Sequence, residues 1–230
     1  MSGVEERQEE QATVSGTPER RRYRSTLRDE RAADTRTRII DAARTLFRER
    51  GFAGTTVAVI AKQAGVAAPT VYAVFCNKAE IIKELVHRLE AEADGEQWRA
   101  RIGAEPDPRR KLDLYAAWHR LLFSRGRDVL GAAIDAGGDP AVRELREEGD
   151  RSNQTWLGPV VDALAEAGFL APGLTRQDAV DRMMLLSSVE LYFRATGGRG
   201  WTDDQYQQWL TESLRQQLLA QPPATTPDRR

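Results

Sequence analysis

The side chains with the clearest chemical potential in this 230-residue chain are Thr70 and Tyr72, which form a Thr-x-Tyr pair in a short apolar segment. Val71 and Phe75 are apolar and four residues apart, so helical spacing predicts that they face inward. Thr70, Tyr72 and the adjacent Ala73 would then lie on or near the outer surface. Exposed hydroxyl groups can bond to phosphate oxygens, and small apolar side chains can contact thymine methyl groups. The pattern therefore indicates a helix that contacts nucleic acid.

Three short amphipathic helices within residues 35–78 are predicted to position this pair. The first carries an apolar stripe and should end at Gly51, where a left-handed residue is favoured. The second should begin at the N-cap Thr56 and end at Gly65. The third has Pro69 in its first turn, where the missing N–H costs little. Two helices joined in this way, with the second free to enter the major groove, form a helix-turn-helix motif.

The runs TRTRIIDAARTLF, GFAGTTVAVIAKQAGV and PTVYAVFCNKAEII resemble the amino-terminal domain of TetR-type transcriptional regulators. The resemblance covers about a fifth of the chain. It implies an all-α fold, in which a three-helix helix-turn-helix DNA-binding domain precedes a helical ligand-binding and dimerisation domain. It also implies a homodimer that binds a double-stranded DNA operator and responds to a small-molecule effector. The predicted DNA-binding residues are Thr56, Ala67, Pro69, Thr70, Tyr72, Ala73 and Lys78.

Several of these residues also have a chemical reason for the role that the resemblance implies. Thr56 caps a helix whose first N–H groups can meet a phosphate, and Lys78 supplies a point charge. The chain departs from the family pattern at Ala67, where a serine usually caps the third helix. It also offers only apolar surface at Ala58 and Val74, which cannot bond to base edges. Base specificity must then rest partly on DNA shape or on contacts from outside the three helices.

An amino-terminal extension, residues 1–30, is predicted to be disordered, with a basic arm that follows an acidic, glutamine-rich stretch, residues 5–11. Its arginines include the possible arm contacts Arg21, Arg22 and Arg24. Such an arm could enter an A·T-rich minor groove, or it could be a solvated tail that attracts phosphate without reading bases. Both interpretations remain open from the sequence.

Charge is distributed unevenly along the chain. Eight basic and four acidic residues lie between positions 30 and 79, a net charge of +4, and residues 1–29 are balanced. Since the whole chain carries −1, residues 80–230 carry −5. A basic segment on an acidic body would orient the molecule toward nucleic acid. We predict a DNA-binding domain over residues 31–79, a helical body over 80–220 and a disordered tail over 221–230.

The single cysteine, Cys76, excludes an internal disulfide and fits a reducing compartment. No signal peptide or apolar run of membrane-spanning length is visible, so we expect a cytoplasmic protein without a membrane partner. In the body, helices are predicted at residues 78–96, 109–124, 128–136, 140–167, 176–196 and 203–219.

The body is predicted to bind a mostly apolar effector and to form the dimer. Candidate effector-binding residues are Tyr115, Trp118, His119, Trp156, Met183 and Glu190. Apolar stripes on the last two long helices could close a four-helix bundle with a second copy, or could pack on their own chain. The candidate interface residues are Met184, Leu191, Tyr206, Trp209, Leu210 and Leu214.

Two other classes of function compete with a DNA-binding repressor. An enzyme has little support: His87 and His119 lie on different helices outside any metal-binding spacing, and no histidine lies beside Cys76 in sequence. We therefore expect no catalytic residue, metal or cofactor. A second alternative keeps the fold but has lost operator recognition and binds only a ligand or a partner protein. The apolar outer face of the third helix is what keeps that alternative open.

Overall fold

Helices make up the whole framework that the structure describes. The computed structural model gives the backbone of residues 18–220 and the side chains from residue 28 onward. Within residues 18–220 the only β-type pairing is an isolated bridge between Leu170 and Leu219, so the all-α prediction is confirmed. The helices are α1 Pro18–Arg50, α2 Val57–Ala64, α3 Ala68–Val74, α4 Lys78–Glu92, α5 Gly95–Ala104, α6 Pro108–Arg125, α7 Arg127–Asp135, α8 Pro140–Glu166, α9 Arg176–Leu186, α10 Val189–Phe193 and α11 Asp203–Leu218, with a π-helical turn at Arg194–Gly198 between α10 and α11.

The predicted helix stops at two glycines are confirmed. Gly51 has φ +69° and its N–H donates to the Phe47 carbonyl at 2.9 Å, which ends α1. The rings of Phe47 and Phe52 then meet with their centroids 5.6 Å apart across the turn. Gly65 has φ +65° and ends α2. Both glycines adopt a backbone conformation that a side chain would disfavour, so local sequence is enough to specify these turns.

Helix α1 is longer than the sequence analysis predicts. It begins at Pro18, whereas a disordered extension was expected as far as residue 30. The prediction is therefore wrong for residues 18–30. Proline suits the first position of a helix, and no glycine or further proline interrupts the arginine-rich run up to Arg50. Arg21, Arg22 and Arg24 belong to this helix, but their side chains, like residues 1–17 and 221–230 as a whole, lie outside the part that is described.

Two apolar cores hold the helices together. The first core is shared between α1–α4 and elements of the body, because Val129 and Ala132 of α7 and Val142 of α8 belong to the same buried cluster. Helix α7 packs on α1 and α4, and α8 packs on α4. The second core lies within α5, α6, α8, α9, α10 and α11. The amino-terminal domain is thus joined to the body through α4 and α7 as one packed unit.

Two breaks in the body were not predicted. Helix α4 stops at Glu92 and a short α5 follows, because Asp94 adopts a left-handed conformation and Gly95 is buried against Trp118. A Cβ on Gly95 would lie 3.2 Å from the Trp118 ring. The expected helix over 176–196 is interrupted after Leu186, where the Ser187 hydroxyl donates to the Met183 carbonyl at 2.7 Å. Ser187 Oγ also lies 2.6 Å from the Tyr115 hydroxyl of α6, so α6 contacts both breaks, through Trp118 and through Tyr115.

No single helix among residues 18–220 is long and apolar enough to cross a bilayer. Helices α2 and α3 together reach that length and composition, but a bend of 101° separates them.

Candidate nucleic-acid interface and internal cavity

The turn between α2 and α3 sets the geometry of the candidate interface. The two helices are bent by 101° relative to each other, within the range expected of a helix-turn-helix pair. Gly65 makes the sharp exit from α2, and the Val66 N–H donates to the Ala61 carbonyl at 3.0 Å. The predicted arrangement of a supporting helix followed by an outward-facing one is confirmed.

Helix α3 presents the predicted face to solvent. Val71 is fully buried and Phe75, its C-cap, is 4% exposed, whereas Tyr72 is 56% exposed. Pro69 and Ala73 are also exposed on this helix, and Thr70 is half-buried. An exposed tyrosine flanked by small residues is unusual for a purely structural helix, because it gains no burial there. The face is free to contact another macromolecule.

The N-termini of α2 and α3 differ in their caps. The exposed Thr56 accepts a hydrogen bond at Oγ1 from the Val59 N–H at 3.3 Å, which caps α2 as predicted. Ala67 precedes α3 in an extended conformation and makes no side-chain cap. Pro69 lies in the first turn of α3 and removes one donor that would otherwise be unsatisfied. The missing serine cap is therefore partly offset by the proline.

Lys78 has a different environment from the predicted one. Its Nζ donates to the carbonyls of Phe52 and Thr55 at 2.8 and 2.7 Å and lies 4.1 Å from the centroid of the Phe52 ring. Burial lowers the pKa of Lys78, and the charge of Asp139 partly opposes the shift. The ammonium group thus ties the loop before α2 to the start of α4. This geometry favours a positioning role over the phosphate contact assigned from sequence.

Thr55 is a residue that sequence reasoning missed. Its side chain is fully buried, and Oγ1 lies 2.9 Å from the Gly51 carbonyl and 3.3 Å from the Leu46 carbonyl, to which it can donate. The Thr-Thr pair before α2 was the available signal, but only Thr56 was given a role. Thr55 and Lys78 together hold the loop between α1 and α2 in one conformation.

Much of the positive charge counted from sequence is used inside the chain. Arg36 bonds to Glu84 at 2.7 Å, and this hydrogen bond lowers the pKa of the Glu84 carboxyl. Arg44 bonds to Asp128 on α7 at 2.7 and 3.2 Å. Burial raises the pKa of Asp128, but the hydrogen bond from Arg44 and its charge outweigh that effect and lower it. Within the described residues, the basic side chains of positions 30–79 that have no ion pair and no internal carbonyl partner are Arg31, Arg48, Arg50 and Lys62.

A cavity of about 700 Å³ lies in the body, bounded by α4, α6, α7, α8 and the α9–α10 region. Four of the six candidate effector-binding residues line it: Trp118, His119, Trp156 and Glu190. Tyr115 and Met183 are buried beside it in the second core without lining it, so their assignment is corrected. Helical spacing placed them on the correct side of the body, but neighbouring side chains cover them.

His119 is the most distinctive polar group in the cavity wall. It is 7% exposed, and its Nδ1 lies 3.0 Å from the Tyr115 carbonyl. Burial lowers the pKa of His119 to about 4, although the backbone hydrogen bond opposes the shift. The imidazole is therefore neutral near pH 7. The hydroxyl of Tyr115 lies 2.6 Å from Ser187 Oγ, which connects this part of α6 to the break after α9.

The predicted dimer residues separate into two groups. Tyr206, Leu210 and Leu214 are 0% exposed in a single chain, so they belong to its own core and cannot present a face to a second copy. That part of the prediction is wrong, because an apolar stripe does not indicate which partner covers it. The half-buried residues of the prediction are Met184, Leu191 and Trp209. Leu185, which was not predicted, is 70% exposed.

Comparison with known proteins agrees with this geometry. Residues 39–85 match the family described as "Bacterial regulatory proteins, tetR family". The chain is 38% identical over 103 residues to the HTH-type transcriptional regulator TtgR of Pseudomonas putida, a match that covers 44% of this chain and 49% of TtgR. The matched segment thus spans about half the length of that curated relative.

Solved structures extend the similarity over most of the chain. NalD, the secondary repressor of the MexAB-OprM multidrug efflux pump in Pseudomonas aeruginosa, superimposes with a TM-score of 0.66 at 25% identity, covering 83% of this chain and 98% of NalD. The SmeT–triclosan complex superimposes with a TM-score of 0.64 at 20% identity, covering 85% of this chain and 98% of SmeT. The second likeness concerns the fold alone.

Proposed function

Since the chain belongs to the tetR family of bacterial regulatory proteins, we propose that it is a transcriptional repressor that binds a palindromic operator as a homodimer. A small organic effector that enters the cavity releases it from the DNA. The observation that carries this proposal is the exposed face of α3, which holds Tyr72 outward on a helix bent by 101° from its support. The proposal places the protein in the bacterial cytoplasm, where its operator is accessible.

In the proposed complex, α3 enters the major groove. Tyr72 donates its hydroxyl hydrogen to a phosphate or a groove acceptor, while Pro69 and Ala73 contact thymine methyl groups. The N-terminus of α2, capped by Thr56, faces the backbone, where its N–H groups favour an anion. The unpaired basic residues of the domain add attraction that does not depend on sequence. Most of the specificity for the operator sequence therefore comes from the shape of the DNA and from a small number of contacts to bases.

The route from cavity to DNA runs through α4 and α7. Both helices contribute cavity walls, Leu89 from α4 and Leu130 from α7 for example, and both pack against α1. The bidentate contact of Arg44 with Asp128 joins α1 directly to α7. An effector can shift the DNA-binding equilibrium only by binding one arrangement of these helices more tightly than the other. Effector and operator must then weaken each other by the same factor.

Two features of the chain support the remaining parts of the proposal. The cavity volume suits an organic molecule of ordinary drug size, and the related SmeT fold is known in complex with triclosan. For the dimer, Leu185 together with Met184 on α9 offers an apolar surface at the edge of the cavity, which both residues also line. Such a surface is typical of a site of association. A binding module without operator recognition is not favoured, because the relatives are DNA-binding regulators.

A matched pair of variants tests the DNA-binding part. Ala73→Glu introduces a carboxylate on the exposed face of α3, and Ala165→Glu makes the same change on the exposed surface of α8. With DNA from upstream of the protein's own gene and excess unrelated competitor DNA, we expect Ala73→Glu to lose roughly tenfold or more in affinity, because its charge opposes the phosphates. Ala165→Glu should bind like the wild-type protein. If both variants bind this DNA equally well, α3 does not contact the DNA.

A further inference from the structure

His119 presents an unused hydrogen-bond acceptor to the cavity. Its side chain lines the cavity wall and is only 7% exposed, so more than nine-tenths of it is buried. Nδ1 lies 3.0 Å from the Tyr115 carbonyl, which can only accept, so Nδ1 carries the hydrogen. The ring is neutral near pH 7 because burial lowers the pKa of His119 to about 4. Nε2 therefore has a free lone pair.

No side chain or backbone group described by the structure bonds to this lone pair. Among the described residues, His119 makes no hydrogen bond other than the one at Nδ1. The ring stacks against Tyr115 at 4.1 Å between centroids and meets the edge of Phe123 at 5.4 Å, and these contacts hold its orientation. Because Nδ1 points back to the α6 backbone, Nε2 lies on the edge of the ring that is turned away from it. Nε2 is not among the fully enclosed polar atoms, so this acceptor can be reached from the cavity and a ligand that supplies a donor can bind it.

The surroundings of His119 define the rest of the ligand. Trp118, Leu122 and Phe123 from α6 and Trp156 from α8 supply apolar and aromatic walls. The charged side chains of the lining are mostly compensated, since Glu190 pairs with Arg146 at 3.1 Å. Further pairs join Glu90 to Arg99 and Glu148 to Lys83. A ligand with a net charge would have to break such pairs or remain unpaired beside the aromatic groups.

We infer that the cavity takes an uncharged aromatic molecule with a hydroxyl or N–H group, and that this donor binds Nε2 of His119. The inference rests on the proposed function, since it names the chemical class of the effector and the residue that selects it. A carboxylate cannot serve as this donor, because its oxygens carry no hydrogen to give to Nε2. An ether or hydrocarbon of the same shape fits the walls but leaves the acceptor unsatisfied.

Two probes of nearly equal shape test the inference. 2-Naphthol carries a hydroxyl donor, and 2-methoxynaphthalene replaces its hydrogen with a methyl group. By isothermal titration calorimetry at pH 7.5 with the full-length protein, we expect 2-naphthol to bind roughly tenfold more tightly, because only 2-naphthol can donate a hydrogen bond to Nε2. His119→Phe should abolish the difference between the probes. His119→Gln keeps an acceptor oxygen and should retain part of it.

A spectroscopic readout separates this role from simple packing. With ¹⁵N-labelled imidazole, Nε2 of His119 should give a signal of unprotonated type that shifts on adding 2-naphthol and not on adding 2-methoxynaphthalene. Equal affinities for the two probes, binding of neither, or a preference that persists in His119→Phe would overturn the inference. Operator binding by the same preparations tests the proposed function separately. If the protein binds its operator but does not prefer 2-naphthol, only the inference about His119 is wrong. If it prefers 2-naphthol but does not bind an operator, only the proposed repressor function is wrong.

Discussion

His119→Phe is expected to remove an acid-sensitive part of the protein's stability. Burial lowers the pKa of His119 from its ordinary value of 6.5 to about 4. As the pH falls below 6.5, the unfolded chain gains a proton at this residue, whereas the folded chain stays neutral until about pH 4. Stability attributable to neutral His119 is therefore full above pH 6.5 and is lost progressively as the pH falls toward 4.

The magnitude follows from the size of the shift. One pKa unit corresponds to about 1.4 kcal/mol, and pH 5 lies about 1.5 units below the unfolded-state pKa. The free energy of unfolding should thus fall by about 2 kcal/mol between pH 7 and pH 5 through this residue alone. Solvent screening reduces the figure little, because the side chain is 7% exposed. A loss of this size is a large fraction of a typical domain's stability.

Urea unfolding followed by circular dichroism at a fixed protein concentration measures the effect. Carboxyl groups with lowered pKa values, such as those of Glu84 and Asp128, also lose stability in acid, but they are common to the wild-type protein and the variant. The difference between the two profiles therefore isolates His119. His87→Phe, which changes the other histidine of the chain at an exposed position of α4, serves as the control and should keep the wild-type profile. If His119→Phe and the wild-type protein lose the same free energy of unfolding between pH 7 and pH 5, the conclusion that His119 is buried and neutral is wrong.

Three further outcomes are expected. Lys78→Met should destabilise the folded protein by about 1–3 kcal/mol in thermal unfolding, because it removes the two hydrogen bonds from the ammonium group to the Phe52 and Thr55 carbonyls. A reduced salt dependence of DNA binding with unchanged stability would support the phosphate contact instead. In a double-mutant cycle, Arg44→Ala and Asp128→Ala should show a coupling of about 1 kcal/mol in urea unfolding, and additive effects would mean that the bidentate contact does not link α1 to α7. Leu210→Ala should cost about 2–5 kcal/mol of unfolding free energy at any protein concentration, whereas a loss that disappears at high concentration would place this residue in a dimer interface.

The amino-terminal helices could be predicted closely because their signals are local. Gly51 and Gly65 end helices by a backbone conformation that few other residues adopt, and Thr56 caps the next helix with its own side chain. The inward direction of Val71 and the outward direction of Tyr72 follow from helical periodicity within a few residues. Each of these features is decided by residues within one or two helical turns of each other, so the local sequence is enough to predict it.

The body was predicted less well because its decisive contacts join distant residues. Periodicity identified the apolar side of α11, but Tyr206 and Leu214 proved to be covered by the same chain and not by a second copy. The break after Leu186 depends on Ser187, whose hydroxyl meets Tyr115 from a position 72 residues away. A stripe of side chains defines a surface, and only the packed fold decides what lies against it.

The sequence by itself determined that this protein is helical, where the second helix of its helix-turn-helix motif lies and which side of that helix faces outward. Tertiary structure decided the use of individual polar groups. The sequence predicts Lys78 as a free charge, but in the fold its ammonium group bonds to two carbonyls. The sequence likewise counts Arg44 in a basic surface, but in the fold it bonds to Asp128, 84 residues later. His119 likewise became a neutral acceptor only through burial. Charge and protonation depend on the groups and the solvent around each side chain, and those are set when distant segments pack together.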